Sequence, residues 1–486
     1  MGYSRKPVYY FKSKDDTGID KVPNGRIIVV EDYNADGTNK VKKFIKVKDV
    51  SSGTSIYDSI ENDRALRNTE IEYAAVGNVS SPLLDLPLRV SLDMERGSGN
   101  VDFSRKSGAT YIDRYGVLKY AEENEPRFEK EGLLIEGSST NEALQSSKVL
   151  DSFYNTRGLL AEDKPDISGG TNAGLLYNDT NNSSDYLYTY KSHTMSVGDI
   201  YSYSVYVDIS TLRDNTHCFI QARTTVTGAS DNSLLKLYSN GSIEVIDSGN
   251  NFISHKVTYI RDSWYKMEIS TTVGDVNGDG SDVTSNYYNF LEVDGDEAQD
   301  VNEGLIFCYP QLEKLPFATS YIPTGSSAVT RAGDACSVTS EYNTPFINNA
   351  TTFSVTFDSK NIINTGDFYS TIFSLDYNGS DRILMFNRAG SSYAQLIYGT
   401  QYGNFQTLSK GNLKIICSPQ TDTDINVSVV NDDDILIDDR NFSVSITELP
   451  INITLGGYGY GHQIHGHLRD FKIYDKALTP AEIRIL

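Results

Sequence analysis

From residue 199 onward the sequence is a succession of short runs in which apolar and polar residues alternate. They include "DIYSYSVYVDIS" (199–210), "HCFIQARTTV" (217–226), "LLKLYSNGSIEVI" (234–246), "WYKMEISTTV" (264–273) and "GLIFCYPQLEKL" (304–315). Period-two alternation puts successive side chains on opposite faces of a strand, so each run has one face to bury. Runs this short at regular spacing, with turn signals such as "YSNGS" between them, predict a β-sandwich over 151–334. The pattern resumes after it: "TTFSVTFDSK", "YSTIFSLDY", "DRILMFNRAG", "SYAQLIYGT", "LKIICSP", "DINVSVVND", "INITLGGYG" and "LRDFKIYD". That predicts a second sandwich over 335–486. The expected fold class is all-β, and 33 tyrosines against 1 tryptophan and 5 methionines agree with it, because tyrosine suits pleated, half-buried surfaces.

The first hundred residues read as a separate small module. "RIIVVEDYNADGTNKVKKFIKVK" (26–48) is a hairpin with "NADG" as its turn. Ile56, Ile60 and Leu66 approximate helical spacing and predict a short helix. "VSSPLLDLPLRV" carries two prolines and reads as a linker or an edge strand. Residues 101–150 are polar and irregular apart from "GLLIEG", which predicts a segment that wraps a neighbouring surface or carries function. The chain closes on "DKALTPAEIRIL", where Thr479, Pro480 and Glu482 form a capping box on one helical turn.

The formal net charge is -22. Such a surface repels phosphate backbones and argues against a nucleic-acid partner. It leaves many carboxylates for calcium. Cys218, Cys308, Cys336 and Cys417 are widely spaced and read as buried free thiols. No apolar run reaches membrane length, and "MGYSRKPVYYFKSKDD" has no signal-peptide core. The expectation is folding in a cytoplasm without membrane insertion.

One stretch fits no periodic pattern. "FATSYIPTGSSAVTRAGD" (317–334) is a connector by its Pro323 and its Thr-Gly-Ser-Ser run, yet it holds Phe317, Tyr321, Arg331 and Asp334. Together with "SRKSGATYIDRYGVLKYAEENEPRFEKEGLLIEGSSTN" it resembles a pairing found in tailed-bacteriophage fibre and tail proteins. There the two stretches bracket a jelly roll similar to carbohydrate-binding modules. The matching positions are Arg105, Ala109, Thr110, Gly116, Pro126, Arg127, Glu136, Thr140 and Asn141 in the first stretch. In the second they are Tyr321, Pro323, Thr324, Thr330, Arg331 and Asp334. The resemblance implies a structural role: Phe317 and Tyr321 pack on the sandwich, and Arg331 and Asp334 set the path into the next domain. "IHGHLRDFKIYDKALTPAEI" (464–483) is similar to the closing strand of laminin-G-like or concanavalin-like lectin sandwiches, through Gly466, Asp470, Tyr474, Leu478, Thr479 and Glu482. That fold carries both lectins and glycan hydrolases.

Candidate sites follow from the residues. Asp275, Asn277 and Asp279 in "DVNGDG" open like a calcium loop. The twelfth position is Asn286, so the alternative is a polar hairpin turn between the flanking runs. His462, His465 and His467 are either zinc ligands or solvated side chains. Tyr458 and Tyr460 lie among glycines, as in a sugar-stacking loop or a tyrosine-rich turn. Trp264 is a sugar platform or, since Tyr265 and Met267 alternate with it, a core residue. No hydrolase motif stands out, so the chain is not expected to be an enzyme. The function implied is a virion fibre or spike subunit that binds host-surface glycans as a homotrimer and docks to other virion proteins through 1–100. The alternatives are a virion glycan depolymerase and a purely architectural decoration protein.

Overall fold

The computed structural model describes 9–11, 27–33 and 40–46, and then 82 and 84–338 apart from 96–99, 150–154, 158, 178–185, 215, 227–228, 248–251, 275–282 and 293–303. Beyond these it describes 354–360, 370–376, 382–387, 393–398, 401–406, 413–421, 424–430, 436–443, 452–457 and 463–474. The elements among the described residues are strands, and the chain is all-β as its alternation requires. No helix among the described residues is long and apolar enough to cross a membrane. The expected helix around 56–66 and the capping box at 479–482 lie outside the described residues.

Near the start, Ile27–Tyr33 and Lys40–Lys46 form the expected antiparallel hairpin, from Ile27 opposite Lys46 to Tyr33 opposite Lys40. Tyr9–Phe11 adds a parallel strand to it.

The middle sandwich has two six-stranded sheets. One runs, in spatial order, Asn155–Arg157, Tyr186–Met195, Val283–Glu292, His217–Val226, Ala229–Tyr238, Ile243–Asp247. The other runs Leu159–Lys164, Ala173–Tyr177, Leu305–Glu313, Ile200–Asp208, Trp264–Thr272, Phe252–Arg261. Val205, Val207, Met267, Ile269, Leu305 and Phe307 belong to the core. Every residue of Leu305–Glu313 is buried, including the polar Gln311 and Glu313. A strand covered on both faces has something packed on its outer side, and here that is the 317–334 connector. Cys218, Cys308 and Cys336 are buried free thiols, and burial pushes Cys218 and Cys336 up to about 12.

The second sandwich is not built from 335–486 alone. One sheet runs Gln401–Gln406, Tyr393–Tyr398, Arg382–Asn387, Ser370–Asp376, Asn452–Leu455, Ala335–Val338, Val101–Ser104. The facing sheet runs Leu436–Ser443, Asp424–Val430, Leu413–Thr421, Ser354–Lys360, Gly466–Tyr474, Gly132–Ile135, Arg127–Glu129, with Leu84–Leu86 also on Gly466–Tyr474. Phe373 and Phe471 meet between the two sheets, ring centres 6.4 Å apart. Four strands of this sandwich therefore precede the middle one in sequence. The expectation of an irregular 101–150 is corrected: the segment carries six strands, too short and polar to announce themselves. The middle sandwich is inserted into the second one. Its neck is a two-stranded ribbon in which Ser139–Asn141 pairs antiparallel with Val329–Arg331.

The sheet assignment also corrects one reading of "DVNGDG". Trp264–Thr272 and Val283–Glu292 lie in different sheets, so the connection between them crosses from sheet to sheet and is not a hairpin.

Candidate functional site: a polar cleft between the sandwiches

The connector owes its specific residues to the accounting of backbone polar groups. An extended segment outside any ladder must find partners for its amides and carbonyls. Here side chains supply them. Ser202 Oγ donates to Phe317 O at 2.8 Å, Lys266 Nζ to Thr319 O at 2.9 Å, Thr110 Oγ1 to Tyr321 O at 2.6 Å and Asn141 Nδ2 to Ile322 O at 2.8 Å. Ile322 N donates to Gln311 Oε1 at 2.6 Å. Phe317 and Tyr321 are buried.

Behind the connector lies a buried charge network. Asp334 accepts from Arg105 Nη1 at 3.2 Å and Arg127 Nη2 at 2.6 Å. Glu136 accepts from Arg127 Nη1 at 2.8 Å, with Arg331 Nη2 at 3.5 Å. Burial opposes the charge on Glu136, but Arg331 and Arg127 outweigh it and hold the carboxyl well below the ordinary range. Three guanidiniums face two carboxylates. Carbonyls take up further donors: Glu122 O and Glu125 O on Arg105, Thr110 O on Arg127, and Gly137 O on Arg331. The Nε atoms of Arg127 and Arg331 are buried without a partner. This ties both strands of the neck to the second sandwich.

A hairpin stands beside the network. Ala109–Ile112 pairs with Leu118–Ala121, from Ala109 opposite Ala121 to Ile112 opposite Leu118. Its tip is rigid, because Asp113 Oδ1 accepts from Tyr115 N at 2.8 Å and Val117 N at 2.9 Å. Gly116 has φ +78°, and a Cβ there would come within 2.8 Å of Arg261 Cβ. Only glycine permits that backbone so close to the middle sandwich. The tip thus presents Arg114 and Tyr115, and Tyr115 is 76% exposed.

Between this hairpin, the outer face of the middle sandwich and the start of Gly466–Tyr474 lies a cleft of about 530 Å³. A second, more open hollow of about 730 Å³ adjoins it on the far side of the hairpin. Tyr111, Asp113, Arg114 and Tyr115 line both. The middle sandwich contributes polar residues to the cleft: Lys256 stands opposite Glu268 and Thr258 opposite Lys266 in the register. Lys266 Nζ lies 2.7 Å from Glu268 Oε1. On the other wall Glu129 Oε1 accepts from Ile112 N at 2.7 Å, and Oε2 lies 2.9 Å from His467 Nε2. Burial raises the Tyr111 hydroxyl, helped by Glu125, Asp113 and Glu129. A polar cleft with aromatic faces at its rim suits a hydroxyl-rich ligand better than an apolar one.

The residues expected from sequence fall in different places. Trp264 is 6% exposed in the core of the middle sandwich and presents no open face. His467 is buried against Glu129, and His465 is half-buried. His465 packs its ring 4.6 Å from that of Phe317, and burial lowers its pKa to about 4. Tyr458, Tyr460, His462, Asp275, Asn277 and Asp279 lie outside the described residues. Sequence reasoning missed Tyr111 and Tyr115. Their signal was a D-x-x-G turn between the runs "ATYI" and "LKYA".

No family model and no curated protein matches the sequence. Solved structures similar to the chain include the LG1-3 region of the laminin alpha2 chain, with TM-score 0.23 and 13% identity over 60% of this chain and 65% of that one. The receptor binding domain of a botulinum neurotoxin mosaic serotype C/D has TM-score 0.24 and 16% identity over 32% of this chain and 39% of that one. Domains LG4-5 of the mouse laminin alpha1 chain have TM-score 0.21 and 10% identity over 72% of this chain and 91% of that one. The chain thus spans less than two thirds of the length of the first two. Likenesses this distant carry no argument about function, and the fold assignment rests on the sheets themselves.

Proposed function

We propose that the chain is a glycan-binding subunit of a bacteriophage fibre or spike, and that the cleft between its sandwiches takes the sugar. The phage context comes from the resemblance of 105–141 and 317–334 to fibre proteins. The observation that carries the binding site is Tyr115, 76% exposed on a hairpin tip made rigid by Asp113. An aromatic ring held in the open packs on pyranose C–H groups at little entropic cost. Single contacts of this kind are weak, and a homotrimer that repeats them gains firm adhesion through avidity. In this reading 1–100 docks to other virion proteins. Asp275, Asn277 and Asp279 hold calcium, and Tyr458 and Tyr460 form a second stacking pair. The chain binds without cleaving, and it works on the virion surface.

The test is binding of the full chain to host-surface polysaccharide and its oligosaccharides. Tyr115→Ala is expected to weaken binding about tenfold, the worth of one stacking contact, with an unchanged melting temperature. Unchanged affinity would move the site to Tyr458 and Tyr460. No affinity for any host glycan would sink the proposal. Release of new reducing ends during incubation would convert it into the depolymerase reading.

A further inference from the structure

The cleft is unusual in its uncommitted charge. Six carboxylates line it, and five are engaged. Asp113 is held by the hairpin amides, Glu129 by Ile112 N and His467, and Glu268 by Lys266. Glu136 belongs to the buried arginine network, and Glu131 lies 3.7 Å from Arg469 Nη1. Of the six, Asp262 alone has no partner among the described residues.

The cations differ. Arg114, Lys130, Lys256 and Arg261 line the same cleft, and none has a carboxylate partner among the described residues. Arg261 has one long contact, Nη2 to Ile167 O at 3.5 Å, and its Nε is buried without a partner. A chain of net charge -22 has carboxylates to spare for pairing. Four cations without a carboxylate partner among the described residues thus surround this one cavity.

Position sharpens the point. Arg114 is next to Tyr115 on the hairpin tip, and Gly116 brings that tip against Arg261. Lys256 projects from the same face of the sheet as Lys266, because cross-strand neighbours share a face. Arg114, Lys256 and Arg261 thus come from two separate elements and line one cleft with the exposed aromatic. The adjoining hollow beyond Tyr111 and Tyr115 gives the cleft length as well as depth.

We infer that the ligand of this cleft is an acidic saccharide of several units, whose carboxylates meet Arg114, Lys256 and Arg261 while a ring packs on Tyr115. This rests on the glycan-binding reading above and names the class of glycan. Arginine presents a planar fork that matches a carboxylate, and the long stems of lysine and arginine let the charges follow a flexible chain.

The experiment is calorimetric titration of the full chain with an oligouronide and with the same oligosaccharide after reduction of its carboxylates to alcohols. The oligouronide is expected to bind at least about tenfold more tightly, from several exposed ion pairs acting together. Raising the salt from roughly 0.05 M to roughly 0.5 M should erase most of that preference, since exposed pairs are screened. In Arg114→Ala/Lys256→Ala/Arg261→Ala the ratio of the two affinities should fall close to one. Arg261 is half-buried, so Arg114→Ala/Lys256→Ala serves if the triple variant melts early, with an intermediate ratio expected. Equal affinity of the native chain for the two oligosaccharides overturns the inference and leaves the glycan-binding proposal standing. Polyglutamate binding as tightly as the oligouronide overturns it too, by showing charge without saccharide. Binding to neither sugar removes both proposals together.

Discussion

Asp334 has no exposed side-chain surface and lies between two guanidiniums, with Arg105 Nη1 at 3.2 Å and Arg127 Nη2 at 2.6 Å. Its removal leaves Arg105 buried without a carboxylate and Arg127 with Glu136 alone, and breaking a buried pair costs far more than the pair contributes over an apolar replacement. Asp334→Ala is expected to lower stability by about 3–5 kcal/mol in denaturant unfolding. Arg331→Ala should cost less, on the order of 1–3 kcal/mol, because Glu136 keeps Arg127. His465 makes stability depend on pH. Its folded pKa is lowered from 6.5 to about 4 by burial, so folding favours the neutral ring. That contribution is complete above pH 6.5 and is lost as pH falls from there toward about 4. The carboxyl of Glu136 is depressed as well, so its contribution is present above the ordinary 4.5 and declines below it. Two phases are expected in a plot of melting temperature against pH. Burial lowers His217 to about 4 as well, so His465→Gln should shrink the upper phase without removing it, and His465→Gln with an unchanged upper phase would contradict the assignment.

At the scale of elements, the short strands before residue 140 matter most. Val101–Ser104 covers Ala335–Val338, and Gly132–Ile135 with Leu84–Leu86 covers one side of Gly466–Tyr474. A fragment 335–486 lacks all of them and leaves both strands as open edges, which invite edge-to-edge association. It is expected to aggregate or to unfold without a cooperative transition, whereas a chain beginning at residue 82 should unfold cooperatively. A sharp, reversible melt of 335–486 would show that the early strands are dispensable. The hairpin at 109–121 offers a finer test. Gly116→Ala meets both a left-handed backbone and Arg261 Cβ at 2.8 Å. The tip must withdraw from the middle sandwich, so glycan affinity should drop severalfold with a loss of about 1–2 kcal/mol in stability. Unchanged affinity would detach the tip from the binding site.

From residue 84 onward the described residues form a sandwich inserted into a sandwich, joined through a neck of two short strands and a buried charge network. Insertion brings the outer face of one sheet over the rim of another fold, and the cleft exists only because of that. The proposed avidity requires oligomers. Light scattering at micromolar concentration is expected to give three times the monomer mass, and a stable monomer would count against the fibre reading.

The sequence by itself determined the all-β class, most strands of eight or more residues, and the special character of 317–334. Those features are local: an alternating run needs only its own residues to show which face it buries, and a connector holding a buried-type Arg–Asp pair is conspicuous. It did not determine which strands are neighbours. Val101–Ser104 and Ala335–Val338 are separated by the entire middle sandwich, and each is only four residues long. Their pairing is a matter of register and edge coverage rather than of composition. Nor did it locate Tyr115, Arg114, Lys256 and Arg261 in one place. Their meeting depends on chain reversal through the neck and on a glycine that lets two backbones approach. Tertiary structure alone decides this, because side chains far apart in sequence share a cavity only after the sheets that carry them have packed.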